Sequence, residues 1–303
     1  LFGQAVTMLQ ELRLEGNAAA GKLLLQASAV LAAHHQGPGA VGNEILMEIR
    51  ALGGPRALAE SLYFWADQEM DHGDYATARR LLEACTAAYD ETDDPSLRGF
   101  PLSVLARVAC AEGDVARARA YAEESLAIRR QSGLKWLVAV GLNSLGEVHR
   151  FAEDDERAQA LFEQALAFYQ EGGDEPGIAW THHNLGHVAL RAGDAGRAAE
   201  LFRLALSARY RHRYLLGVAA ELAAFAGVAS AAGEHARGAR LCGASEALLE
   251  RIHFVLAPVD RAVYERDAAH LRAAMKVSAF AAARAEGRAL PLEAAIAMAL
   301  GPS

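Results

Sequence analysis

A spacing of 40 residues is the feature that most limits what this chain can fold into. Five turn positions follow it: Gly73, Gly113, Glu153, Gly193 and Gly233. A fixed period of this size is typical of stacked helical repeats. Such proteins generally work through an extended groove and do not need a buried catalytic pocket. The period therefore predicts a solenoid whose function depends on its surface.

Small and large apolar residues recur at fixed distances from each turn, in steps of four and three. The steps place them on one helical face, where small residues let two antiparallel helices approach and large ones fill the gaps. The small residues before the turns are Ala66, Ala106, Gly146, Gly186 and Ala226, and those after the turns are Ala78, Ala118, Ala158, Ala198 and Gly238. The next positions along the same face are Leu82, Ala122, Phe162, Phe202 and Cys242, then Cys85, Ser125, Ala165, Ala205 and Ser245.

This arrangement of small residue, turn, Ala, aromatic and Ala resembles the tetratricopeptide repeat, and the third and fourth units match it best. The usual unit has about 34 residues, so the units here are longer. The resemblance implies an all-α fold, a right-handed superhelical solenoid of helix-turn-helix repeats with a helical C-terminal cap. Gly37 predicts a further, degenerate repeat that starts near Asn17.

The period and its decay divide the chain into three parts. We expect N-terminal helices and the degenerate repeat in residues 1–56, five repeats in residues 57–252, and a helical cap in residues 253–303. After Leu241 the repeat pattern fades, and the sequence predicts a tail of separate helices. They are expected at Ala244–Ile252, Val259–Met275, Ala279–Arg284 and Leu292–Leu300.

The tail resembles a bacterial group through short segments. They are Gly243–Leu248, Tyr264–Arg266, Phe280, Glu286–Leu290 and Leu292–Ala295. Together with the repeats, the resemblance covers about residues 40–300. The group is the C-terminal sensor half of MalT-like, LuxR-type transcriptional activators and related predicted ATPases. Arg284 departs from it, because such tails often carry Trp there. The resemblance implies an interaction or sensor domain that regulates an attached ATPase or transcription-regulator module.

Neither the ATPase nor the DNA-reading module is expected within this chain. The run Gly16–Leu23 nearly matches a phosphate-binding loop, but Leu23 replaces the hydroxyl residue that would hold a metal ion. The chain starts at Leu1, which suggests a fragment of a longer protein. The formal net charge of −8 argues against direct binding of nucleic acid.

Composition favours a cytoplasmic, helical protein without a membrane span. The chain is 52% hydrophobic and rich in Ala, with little of the alternation that strands require. The apolar stretch from Leu215 to Gly233 is mostly Ala and Gly, and it is in register with the first helices of other repeats. Three cysteines, an odd number, are most simply reduced thiols.

The sequence shows no catalytic constellation, and we expect a protein that is not an enzyme and uses no cofactor. His183 and His187 share a helical face and could hold zinc, but no third ligand follows from local spacing. Asn184 stands where a metalloprotease needs Glu, which excludes that chemistry, and two histidines without a third ligand favour a groove or surface role, so no metal site is predicted. The run from Arg209 to Tyr214 could hold phosphate, but its place at a helix end favours a structural role.

The best candidate site is the concave groove, which the first helix of each repeat should line. Side chains beside the packing stripe offer aromatic, amide, carboxylate, imidazole and guanidinium groups, which suit a protein, a peptide or a small-molecule effector. They are Tyr63, Asp67, Arg107, Asn143, Glu147, Arg150, Trp180, His183, His187 and Arg191. The alternative is a structural scaffold or self-association module without a groove ligand.

Overall fold

The computed structural model describes residues 42–92 and 94–301, and within them the chain is all-α. The start of the N-terminal region, with the beginning of the degenerate repeat near Asn17 and the run Gly16–Leu23, lies outside the described residues. In chain order the helices are α1 (Gly42–His72), α2 (Tyr75–Asp90), a short 3₁₀ helix (Pro95–Arg98), α3 (Gly99–Ala111), α4 (Val115–Gln131), α5 (Lys135–Phe151), α6 (Asp155–Gly172), α7 (Glu175–Arg191), α8 (Ala195–Arg211), α9 (Leu215–Ala231), α10 (His235–Ile252), α11 (Pro258–Ala274), α12 (Val277–Arg288) and α13 (Leu292–Leu300).

The helices up to α10 form five antiparallel pairs, and each pair turns where the 40-residue period predicts. All five turn positions have left-handed backbone, including the non-glycine Glu153 at φ 61°. In four of the five, the aspartate after the turn then caps the second helix by accepting a backbone N–H, as Asp114 does from Arg117 at 3.0 Å. The Gly-Asp pair therefore ends one helix and begins the next.

The residues that recur after the turns form the core between helices. Every non-glycine member of those three sets, from Ala78 through Ser245, is fully buried. Glycines on the first helices make room for aromatic rings, since a Cβ on Gly146 would lie 2.5 Å from Phe162 and one on Gly186 would lie 2.5 Å from Phe202. The chain is thus a tetratricopeptide-like solenoid, and the fold class expected from the sequence is confirmed.

The fifth repeat is more complete than the sequence indicated. We expected a tail helix to begin at Ala244, but α10 runs unbroken from His235 to Ile252. The reason is that Cys242 and Ser245 still pack in the repeat core, both fully buried. α12 then packs closely on α10, because a Cβ on Gly243 would meet the Arg284 carbonyl oxygen at 2.0 Å. Arg284, the departure from the family pattern, donates to Glu246 at 2.7 Å.

α9 is the first helix of this repeat and is packed among its neighbours, with Val218 and Leu222 fully buried. Among the described residues, none of the helices has both the length and the apolar character that crossing a membrane requires.

Helix α11 does not continue the stack but lies across its inner face. Successive first helices α1, α3, α5, α7 and α9 contact one another, which marks their side as the inner one. The connector after α10 crosses to the first repeat, where the Val255 N–H donates to the Asp71 carbonyl oxygen at 2.9 Å. From there α11 runs back over α3, α5 and α9, and its Asp260 reaches α7. The sequence did not indicate this placement.

The inner face as candidate binding site

Helix α11 divides the inner face lengthwise into two strips. It covers the C-terminal halves of α5 and α7, where Arg150, His183, His187 and Arg191 lie; we call these four residues the closed strip. Five other expected groove residues lie on α1, α3, α5 and α7, and within the described part of the chain none of them makes an ion pair or side-chain hydrogen bond to α11. They are Tyr63, Asp67, Arg107, Glu147 and Trp180, and we call these five residues the open strip.

Asp260 of α11 is the centre of the closed strip. Its Oδ1 lies 2.5 Å from an Arg150 guanidinium nitrogen, and its Oδ2 lies 3.2 Å from His183 Nε2. His187 Nε2 is 3.9 Å from Oδ1. Arg150 and His183 are each 1% exposed. Because an unpaired charge would be costly at this depth, these contacts bind α11 to α5 and α7.

The charge states in the closed strip follow from these neighbours. Burial opposes ionisation of Asp260, but His183 and Arg150 outweigh it and hold its pKa well below the usual range. Burial also opposes protonation of His183, but Glu221 and Asp260 raise its pKa. Burial and the nearby Arg150 lower the pKa of His187 well below its ordinary value. The pKa values of the two imidazoles are thus shifted in opposite directions by their neighbours.

A further layer of side chains supports these groups. Glu221, fully buried on α9, lies 2.9 Å from His183 Nδ1 and 2.9 Å from an Arg209 nitrogen. Arg191 pairs with Asp155 at 2.9 Å and donates to the Arg150 carbonyl oxygen at 2.9 Å. The closed strip therefore belongs to a charge network that also includes Glu221 of α9 and Asp260 of α11.

Apart from Glu147, the open strip is more accessible to water. Arg107 and Asp67 are 3.8 Å apart, and their side chains are 33% and 46% exposed. The Trp180 indole N–H donates to Glu147 at 2.7 Å, and Asn184 makes a longer contact to the same carboxylate at 3.4 Å. An aromatic face, a cation and an anion are thus held side by side on neighbouring helices.

Tyr214 belongs to the same region, although the sequence did not mark it as a groove residue. About half of its surface is exposed (52%). Partial burial raises the pKa of its phenol; the positive charge of Arg209 opposes this rise, and the negative charge of Asp71 in the first repeat adds to it. Burial, together with Asp67, also raises the pKa of Asp71 to about 6.

The ten expected groove residues all lie on the first helices of the repeats, but they do not all form an open lining. Asn143 was expected to face the groove and is instead fully buried, with no partner for either side-chain atom among the described residues. Glu147, Arg150, His183 and His187 are each at most 8% exposed. Trp180, expected to line the groove, is half-buried. The physical reason is that α11 and neighbouring first helices cover surface that a bare repeat would expose.

The third residue of a metal-ligand set appears only in three dimensions. Asp260 joins His183 and His187, and one ligand atom from each lies within 4.8 Å of the others. Asp260 is 73 residues beyond His187 in sequence, so no local spacing could reveal it. By contrast, the three cysteines are buried and burial raises each thiol pKa to about 12, so none is a reactive thiolate.

The comparisons with known proteins agree with the repeat fold. Residues 100–171 and 137–211, which together run from α3 to the end of α8, match the tetratricopeptide repeat. No curated protein matches the sequence significantly.

Two solved structures resemble the chain in outline. BtubC (BKLC) from P. vanneervenii aligns at 23% identity over 82% of this chain and 90% of its own, with a TM-score of 0.49. The nearly identical TPR-like repeats of a Podosopora anserina kinesin light chain align at 20% identity over 65% and 97%, with a TM-score of 0.46.

Proposed function

We propose that this chain is a non-enzymatic interaction module that binds a peptide or protein segment along the open strip. The observation that carries the proposal is the half-exposed set of Tyr63, Asp67, Arg107, Trp180 and Tyr214 on one concave surface. Tetratricopeptide repeats generally bind proteins or peptides, which fits this chemistry. Aromatic faces supply contact area, and Arg107 and Asp67 offer charge recognition of opposite sign.

The location of α11 supports a regulatory role for this binding. The Val255–Asp71 hydrogen bond and the Asp260 network hold α11 beside the open strip. A ligand that pushes on α11, or rests against it, therefore acts on the C-terminal cap. In a longer protein this would let the ligand regulate an attached ATPase or transcription-regulator module, which is the role that the family resemblance of the tail implies.

Self-association is the second candidate function. Leu134 precedes α5 and Trp136 lies in the first turn of that helix, and each is 50% exposed. An apolar pair of this kind could meet a second copy. This candidate predicts an average mass in light scattering that rises with protein concentration and falls back in a Leu134→Ser/Trp136→Ser variant. A constant monomer mass would contradict it.

The groove function can be tested with a displayed library of random peptides, selected against the whole chain. Phage that also bind the double variant Arg107→Ala/Trp180→Ala are removed by counter-selection. The remaining peptides are titrated by calorimetry into the parent and into each variant. We expect each single variant to weaken binding about tenfold, since each removes one partly desolvated contact.

Two variants serve as matched controls. Arg203→Ala removes an exposed arginine from α8 on the outer side, and Trp136→Ala removes an exposed tryptophan away from the strip. Both should leave peptide affinity unchanged. If the library yields no peptide that prefers the parent over the double variant, or if the double variant keeps full affinity, the open strip is not the binding site.

A further inference from the structure

His183 and His187 lie one helical turn apart on α7 and present their rings to the same space. The two ring centroids are 4.6 Å apart. Asp260 approaches from α11, with Oδ2 3.2 Å from His183 Nε2 and Oδ1 3.9 Å from His187 Nε2. Two imidazoles and a carboxylate therefore converge from two helices that are distant in sequence.

These separations suit a single ion. The ligand atoms of tetrahedral Zn²⁺, at bond lengths of about 2.0–2.1 Å, lie about 3.3 Å from one another. The observed set falls within 4.8 Å, so rotation of the side chains within the site closes the remaining gap. Two imidazoles with one carboxylate favour Zn²⁺ and related transition ions over Mg²⁺ or Ca²⁺, which prefer oxygen ligands only.

The groups around the three residues orient them as metal ligands. His183 Nδ1 is 2.9 Å from Glu221 Oε1, which leaves Nε2 directed at the site. A carboxylate behind a ligating histidine is the usual outer partner of a bound metal. Oδ1 of Asp260 accepts a hydrogen bond from Arg150, and Oδ2 faces His183 Nε2. The guanidinium charge weakens affinity but leaves one oxygen for the ion.

An unpartnered side chain points to a missing ligand. His187 is 6% exposed, and neither of its ring nitrogens has a hydrogen-bond partner among the described residues. Leaving both nitrogens unsatisfied at this depth costs free energy, which an ion on Nε2 would recover. A cavity of about 210 Å³ adjoins this ring and is lined by Arg191, Gly227, Asp267 and His270 among others. It is large enough to admit the ion and a water molecule as a fourth ligand.

We infer that His183, His187 and Asp260 bind one divalent transition-metal ion of the Zn²⁺ type, with water from the adjoining cavity as the fourth ligand. Because Asp260 belongs to α11 and the histidines to α7, the ion links the covering helix to the repeats. This site is separate from the open strip, and it stands or falls independently of any peptide ligand.

The test is direct metal binding by the whole chain, after removal of metals with a chelator and dialysis. Zn²⁺ is titrated in competition with a chromophoric chelator, and Co²⁺ is titrated by visible absorption. We expect one equivalent of each ion and Co²⁺ bands of a tetrahedral site. His187→Asn and Asp260→Asn should each lower Zn²⁺ affinity by about a hundredfold. Mg²⁺ should not compete.

The matched control is His182→Asn, since His182 is the half-buried neighbour on the same helix outside the set. It should keep the parent affinity. Loss of affinity in His182→Asn alone, or equal Zn²⁺ binding by parent and His187→Asn, would overturn the site. Should a variant fail to fold by circular dichroism, X-ray absorption of the Zn²⁺-loaded parent decides. Two imidazoles and oxygen ligands support the proposal, and a shell without imidazole contradicts it.

Discussion

The closed and open strips lie on the same first helices, yet they differ in almost every physical property. In the closed strip, Arg150 and His183 are each 1% exposed, and their charges are met by Asp260. In the open strip, Asp67 and Arg107 are 3.8 Å apart with their side chains substantially exposed. The difference does not come from the repeats but from α11, which covers only one edge. A repeat surface can thus serve internal packing and external binding at once.

The largest expected effect comes from removing a charge in the closed strip. Arg150→Met deprives Asp260 of its 2.5 Å partner, and breaking a buried pair of this kind costs about 3–5 kcal/mol in the free energy of unfolding. The same change in the open strip, Arg107→Met, should cost about 1 kcal/mol or less, since exposed pairs contribute little. Urea denaturation followed by circular dichroism measures both. Equal losses would erase the distinction between the strips.

A smaller effect should follow from Trp180→Phe within the open strip. The change removes the indole N–H that donates to Glu147 at 2.7 Å, and Glu147 is only 8% exposed. A buried carboxylate that loses its main donor should cost about 1–3 kcal/mol. Trp136→Phe, at a position 50% exposed, is the control and should change stability by less than about 0.5 kcal/mol. A Trp180→Phe protein as stable as its parent would show that Glu147 is solvated by another route.

The smallest expected effect is a pH dependence at the end of α1. The folded state raises the pKa of Asp71 from 3.8 to about 6, so between these values it binds more protons than the unfolded chain. Stability from this group is therefore greatest below pH 4 and declines as pH rises toward 6. Asp71→Asn should be more stable than the parent at pH 7 by about 1 kcal/mol, allowing for solvent screening. The advantage should vanish below pH 4; an advantage that stays constant with pH would contradict this account.

The sequence predicted the repeat architecture because its signals are local. The turn at Glu153 takes the left-handed backbone that the period requires, and Phe162 fills the space that Gly146 leaves. Each of these features involves residues within one or two adjacent helices. The spacing alone therefore located helix pairs, turns and core positions.

The placement of α11 could not be read in the same way. Arg150 and Asp260 are separated by 110 residues, and neither belongs to a motif that implies the other. Asn143 shows the same limit, since a polar residue beside the packing stripe can be covered by a neighbouring helix. The charges next to Asp260 gave no signal either, because Arg261, Glu265 and Arg266 are each about half exposed to solvent.

Helix α11 crosses several repeats at once, and this has a mechanical consequence. A stack of helix pairs bends by small rotations between successive units, whereas a single straight helix cannot follow such bending. Val255, just before α11, contacts the first repeat, Asp260 contacts the third and fourth, and Leu271 contacts the fifth. A change in the curvature of the stack would therefore strain these contacts to different extents.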